Sequence, residues 1–136
     1  MSRYVALIDG EPGAYGVTIP DLPGALGMGD TVDEAIRSAI DGARLWVETT
    51  IERGEPVPSA RPLETLRRDP DVIEALREGA MLASVPLIED NGRTVRINLS
   101  LDAGTATAID EAARARGLTR SAFLVSAARE KIVHEA

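Results

Sequence analysis

The chain has no cysteine, one histidine and four aromatic residues, and each scarcity closes off a class of function. Without thiols there is neither a disulfide scaffold nor a thiolate metal site. The single histidine, His134, reads as a solvated tail residue, so a Ser/His/Asp or Cys/His catalytic set has no internal base. A hydrophobic content of 44% with so few aromatics describes a globular chain with an aliphatic core. No apolar run approaches the roughly 18 residues of a membrane span. Met1-Ser2-Arg3 leads into an alternating strand and not into a signal-peptide block, so the expectation is a cytoplasmic protein with no membrane partner. At 136 residues the chain suits one ordinary domain or two small ones.

Basic charge is scarce overall, with a net charge of −7, but the deficit is not shared evenly. Residues 1–92 carry 17 acidic residues against eight arginines, a net of −9, whereas residues 93–136 carry five acidic against seven basic, a net of +2. An acidic first part repels phosphates and suits a basic protein partner; a mildly basic second part suits nucleic acid.

What is present is a clear order of elements. Residues 3–9 and 15–19 alternate as two strands around the turn Gly10-Glu11-Pro12-Gly13, with Tyr4, Ala6 and Ile8 on one face and Tyr15, Val17 and Ile19 alternating likewise. Pro20-Asp21-Leu22-Pro23-Gly24 excludes a central strand, because proline donates no ladder hydrogen bond. Residues 25–28 make a third strand. Thr31-Val32-Asp33-Glu34 is a capping box, Thr31 bonding the Glu34 amide and Glu34 reaching back to the cap. The helix it opens carries the stripe Val32, Ala35, Ile36, Ala39, Ile40, Ala43, Trp46, Val47 and Ile51, until Gly54 and Pro56 end it. A proline-rich crossing over 56–62, a helical turn over 63–68 and a helix from Asp69-Pro70-Asp71 to Glu78 follow. Residues 80–88 then return as a strand to the sheet, and Glu89-Asp90-Asn91-Gly92 marks a boundary between domains at 1–91 and 92–136.

Thr94-Val95-Arg96-Ile97-Asn98-Leu99-Ser100-Leu101 alternates with period two, Val95, Ile97, Leu99 and Leu101 on one face and polar residues on the other. Two helical segments follow, 102–116 and 119–133, hinged at Gly117. An isolated strand is unstable, so its expected partner is the same strand of a second chain. A two-stranded antiparallel ribbon fits the DNA major groove. This segment resembles a ribbon-helix-helix DNA-binding domain. Arg96, Asn98 and Ser100 are its base-reading candidates, since Arg pairs with guanine, Asn with adenine and Ser with either. Thr94, with Thr119, Arg120 and Ser121 at the start of the last helix, are the phosphate-contacting candidates. Free amides there, with Thr119 as cap, make a phosphate seat. Ile109, Ala113, Phe123, Leu124, Ala127, Ala128 and Ile132 are spaced for a helical core.

Tyr15-Gly16-Val17-Thr18-Ile19-Pro20-Asp21-Leu22-Pro23-Gly24, continued by Gly29-Asp30-Thr31-Val32-Asp33-Glu34-Ala35, resembles the signature of the HicB antitoxin family. Ala25 stands where that family often has cysteine. The resemblance implies an α+β chain: an N-terminal partial RNase H-like antiparallel sheet with packed helices, then the C-terminal ribbon-helix-helix dimerisation domain. It also implies direct binding of a HicA-like toxin, a small basic messenger-RNA-cleaving ribonuclease, and repression of the chain's own operon at operator DNA. The toxin-contact candidates it suggests are Tyr15, Pro20, Asp21, Leu22, Asp30 and Glu34. The expected assembly is a homodimer, or a tetramer of two such dimers.

An RNase H-like sheet invites a magnesium nuclease built on Asp9, Asp21, Asp30 and Asp33. Turn and capping chemistry accounts for those residues, and a domain of this charge repels nucleic acid. The expectation is no metal, no cofactor and no enzyme. The alternative is a free-standing ribbon-helix-helix repressor whose N-terminal domain senses a small ligand.

Overall fold

The computed structural model describes residues 1–88 and 93–135. The chain divides into two compact units, residues 1–89 and 90–136. The expected boundary turn at 89–92 lies outside the described residues.

The first unit is an antiparallel four-stranded sheet of β1 (Ser2–Glu11), β2 (Ala14–Thr18), β3 (Leu26–Gly29) and β4 (Met81–Leu87), in the order β3-β2-β1-β4. The β1–β2 hairpin closes on Pro12 and Gly13, with Glu11 opposite Ala14. Pro86 is confined to the edge strand β4, where a missing N–H is tolerated.

Helix α1 (Val32–Glu52) covers one face. Tyr4, Ala6, Ile8, Val17, Val85 and Leu87 from the sheet meet Ala35, Ala39 and Ala43 from the helix in one buried cluster. Small residues set the closeness of this contact. A Cβ on Gly27 would fall 2.3 Å from the Ala39 amide nitrogen, and one on Gly29 would fall 2.5 Å from that of Ala35. Helix and strand therefore touch backbone to backbone, which no larger side chain permits.

The helix start matches the capping box with one change. The Glu34 amide donates to Thr31 Oγ1 at 3.2 Å, but the Glu34 carboxylate accepts from the Asp30 amide at 3.0 Å, one residue before the cap. Ile51, expected on the buried stripe, is exposed. Thr50 is buried in its stead and donates its hydroxyl to the Trp46 carbonyl at 2.8 Å, satisfying its polar atom inside the turn.

The other face of the sheet is also covered, in part. Leu7 packs with Leu66 of α2 (Leu63–Leu66) and Val72 of α3 (Pro70–Arg77), with Val5, Ala75, Leu76 and Ala80 around them. A central strand buried on both faces is apolar throughout, which is why Val5-Ala6-Leu7-Ile8 has no polar alternation. Each fully buried aliphatic side chain here contributes about 1.5–3 kcal/mol. Asp69 caps α3, accepting from the Asp71 amide at 2.9 Å.

The second unit contains α4 (Ala103–Ala115) and α5 (Arg120–Glu135). Asp102 caps α4 through the amides of Gly104 at 2.9 Å and Thr105 at 3.4 Å. Gly117, at φ 66, turns the chain out of the helix, and the Leu118 amide closes on the Ala113 carbonyl at 2.9 Å. Among the described residues of this unit only Ala113 is buried.

Candidate functional site

Residues 93–102 form no ladder with any described residue of the chain. The alternation read from the sequence persists in what they expose: Val95 is 70%, Ile97 81% and Leu99 64% accessible. Arg96, Asn98 and Ser100 alternate with them and are exposed too, as is Thr94. A bare row of β-branched and leucine side chains does not remain in water when a partner row is available. The backbone donors and acceptors of such a segment are open to water or to pairing with a second extended segment.

Thr119 takes the capping position ahead of α5, its hydroxyl accepting from the Ala122 amide at 3.1 Å. Ser121 is exposed in the first turn. These two stand at a helix N-terminus, where free amides favour an anion. Arg120, the remaining phosphate-contacting candidate at this helix start, is exposed and pairs within the unit. Its Nε and Nη2 grip Asp110 of α4 at 2.8 and 2.7 Å, so the fork ties α5 to α4. The hydrogen bond to Arg120, with smaller help from Arg114, holds the Asp110 carboxyl below the usual carboxylate range. Phe123 is half-buried, with the Arg116 guanidinium 5.6 Å from its ring centre. That contact anchors a helix end to the ring face.

In the first unit the corner 20–24 proves to be an internal joint. Leu22 is fully buried in the core, which corrects its place among the partner-facing residues. Asp21 is corrected for a different reason: its carboxylate accepts from the Arg61 amide at 2.7 Å and from Arg61 Nε. The same guanidinium reaches Asp69 at 3.2 Å, so one arginine joins the corner to the cap of α3. The Asp71 amide foremost, and Arg61 after it, hold the Asp69 carboxyl low against partial burial. Trp46 Nε1 donates to the Pro23 carbonyl at 2.8 Å, and Tyr4 Oη donates to the Pro58 carbonyl at 2.8 Å, fastening the proline-rich crossing.

Of the remaining partner-facing candidates, Asp30 and Glu34 are exposed at the start of α1, while Tyr15 and Pro20 are half-buried, Tyr15 against the core. Leu26 and Met28 are not among the residues the sequence singles out. Their signal is the alternation Leu26-Gly27-Met28-Gly29: the glycines meet α1, so the two large side chains face away from it. Among the described residues no three His, Asp or Glu side chains come together as a metal-ligand group, and no helix is long and apolar enough to cross a membrane.

Residues 4–128 match the family described as HicB-like antitoxin of bacterial toxin-antitoxin system. The antitoxin HicB of Burkholderia pseudomallei is similar over 97% of both chains, at 32% identity and a TM-score of 0.52. The antitoxin HicB3 structure is similar over 96% of this chain and 98% of its own, at 28% identity and a TM-score of 0.55. An uncharacterized 14.9 kDa protein from the rep-hol intergenic region of Haemophilus phage HP1 is 26% identical over 96% of this chain and 97% of its own length.

Proposed function

The chain belongs to the HicB-like antitoxin family, and from that premise we propose that it is the antitoxin of a HicA/HicB toxin–antitoxin system. Residues 1–91, a partial RNase H-like domain, bind and neutralise a basic, HicA-like messenger-RNA-cleaving toxin. Residues 92–136 form a ribbon-helix-helix dimer that binds operator DNA and represses the operon. The protein is a cytoplasmic regulator and not an enzyme. Opposite charge on toxin and antitoxin speeds their encounter more than it raises final affinity.

The observation that carries the DNA-binding half is the exposed segment 94–101, which forms no ladder with any described residue and lies directly before a capped pair of helices. Two copies pairing through it bury Val95, Ile97 and Leu99 beneath the ribbon, against α4 and α5. Arg96, Asn98 and Ser100 are then left on the outer surface for base edges, and Thr94, Thr119 and Ser121 for phosphates. Asp30 and Glu34, with Tyr15 and Pro20, remain the toxin-facing candidates of the signature.

The test is a chain with Arg96, Asn98 and Ser100 all changed to Ala. Two or three lost base contacts at roughly 1–3 kcal/mol each weaken operator binding by about two to five orders of magnitude. Dimerisation and toxin neutralisation stay as they were. A triple variant that shifts operator DNA at the wild-type concentration removes these residues from base reading, and the DNA-binding assignment with them.

A further inference from the structure

The face of the sheet turned away from α1 is covered over only part of its width. Register places Leu26, Thr18, Leu7 and Leu82 in one row across the four strands, and Met28, Gly16 and Asp9 in the next. In the first row Leu7 is buried among Leu66 and Val72, while at the β3 end Leu26 is 59% accessible. In the second row Met28 is 77% accessible, more than any other large hydrophobic of this unit. Gly16 beside it has no side chain. A Cβ there would lie 2.9 Å from Asp9 Oδ1, so the Asp9 carboxylate leans over the glycine. The row is thus a shallow trough with a thioether on one side and a carboxylate on the other. Glu11 shares the face of Asp9 by the strand period. Asp30 is drawn to the same end, because its carbonyl accepts from the Gly13 amide in the hairpin turn at 2.8 Å.

Three kinds of occupant compete for such a surface. Addition of a strand along β3 is disfavoured, since the Met28 amide already donates to Ser38 Oγ of α1 at 3.1 Å. A second copy of the same face would bring two units of net −9 together, with Asp9 and Glu11 opposed to their equivalents. A cationic protein meets neither obstacle. A lysine or arginine suits the trough atom by atom: its methylene stem lies along Met28 and Leu26, and its charged end reaches Asp9 above Gly16.

We infer that the uncovered β3–β2 side of the sheet, made of Leu26, Met28, Thr18, Gly16, Asp9 and Glu11, is the surface on which the basic toxin docks, with a Lys or Arg of the toxin lying across Met28 to Asp9. This rests on the antitoxin reading and moves the contact from the signature corner, whose Leu22 and Asp21 are engaged inside the fold, to the open sheet face. Apolar anchor and carboxylate act together, so the surface selects a cation on a long aliphatic stem over a bare charge.

Calorimetric titration of the full-length chain with a catalytically inactive form of the cognate toxin tests it. The double variant Leu26→Lys, Met28→Lys weakens binding by at least ~100-fold, as loss of central anchors does. Asp9→Asn with Glu11→Gln, which touches no packed side chain, slows association about tenfold and flattens its dependence on salt. Leu45→Lys, on an exposed position of α1, leaves binding unchanged. Wild-type affinity in both double variants overturns the inference, as does loss of binding in the Leu45 variant alone. Should the lysine variant melt early, the Asp9/Glu11 variant decides. Failure of the wild-type chain itself to bind the inactive HicA-like toxin overturns the antitoxin reading, a result distinct from failure of one surface.

Discussion

Residues 1–88 bury Tyr4, Ile8, Ile19, Leu22, Leu66, Val72 and Val85 within their own sheet and helices. Among residues 93–134 only Ala113 is buried, and Val95, Ile97, Leu99, Val125 and Ile132 lie open. The aliphatic residues are of similar kinds in both; what differs is where their partners are encoded. The first unit carries both sides of its core in one chain, so its stability is independent of concentration. In the dimer proposed above, the second finds the other side of its core in a second copy, and its folded form is then linked to the amount of protein present. Polar links follow the same division: Arg61 reaches Asp21 across 40 positions of sequence, whereas Arg120 and Asp110, only ten apart, join neighbouring helices.

The largest expected effect comes from removing that half-core. Changing Val95, Ile97 and Leu99 to Ser gives a monomer by light scattering at micromolar concentration and operator binding at least ~1000-fold weaker. Toxin binding by the first unit stays within about twofold. A persistent dimer would mean that the second unit does not depend on this row, and the contrast between the units would fall.

A smaller effect sharpens the contrast from the other side. Gly27→Ala sets a methyl group 2.3 Å from the Ala39 nitrogen and 2.5 Å from the Ala35 carbonyl oxygen. Backbone cannot rotate away as a side chain can, so the first unit loses about 1–3 kcal/mol in urea unfolding. The transition of the second unit does not move.

The smallest effect is acid sensitivity, and it touches both units. Asp69 and Asp110 have folded-state pKa values lowered by their hydrogen bonds, to the Asp71 amide and Arg61 in one case and to Arg120 in the other. Their stabilisation is fully present above the unfolded carboxyl value of about 3.9. It is lost as pH falls through the lowered folded values. Thermal melts between about pH 5 and pH 2 decline less steeply in Asp69→Asn for the first unit and in Asp110→Asn for the second.

Much of this was legible in the sequence because it is local. Thr31 and Glu34, Asp69 and Pro70, and Thr119 are capping signals that act within four residues, and helices begin beside each of them. The cover of the second sheet face was less legible: Val5 and Leu7 record it in β1, but α2 and α3 are too short to declare which surface they meet. The partner-facing residues were hardest. Leu22 between two prolines reads as a loop tip yet sits in the core, and nothing periodic relates Asp21 to Arg61. Leu26 and Met28 become conspicuous only once Gly27 and Gly29 are seen against α1.

The hydrogen bond from the Met28 amide to Ser38 Oγ bears on fidelity of assembly. In the dimer proposed above, strand pairing between copies runs the hazard of pairing the wrong strands, and open sheet edges are where runaway fibres start. Here one edge of the sheet has a donor silenced by a serine, and the other edge carries Pro86, which has no donor to give. The sheet edges therefore offer the alternating segment 94–101 of the proposed dimer less competition for strand pairing.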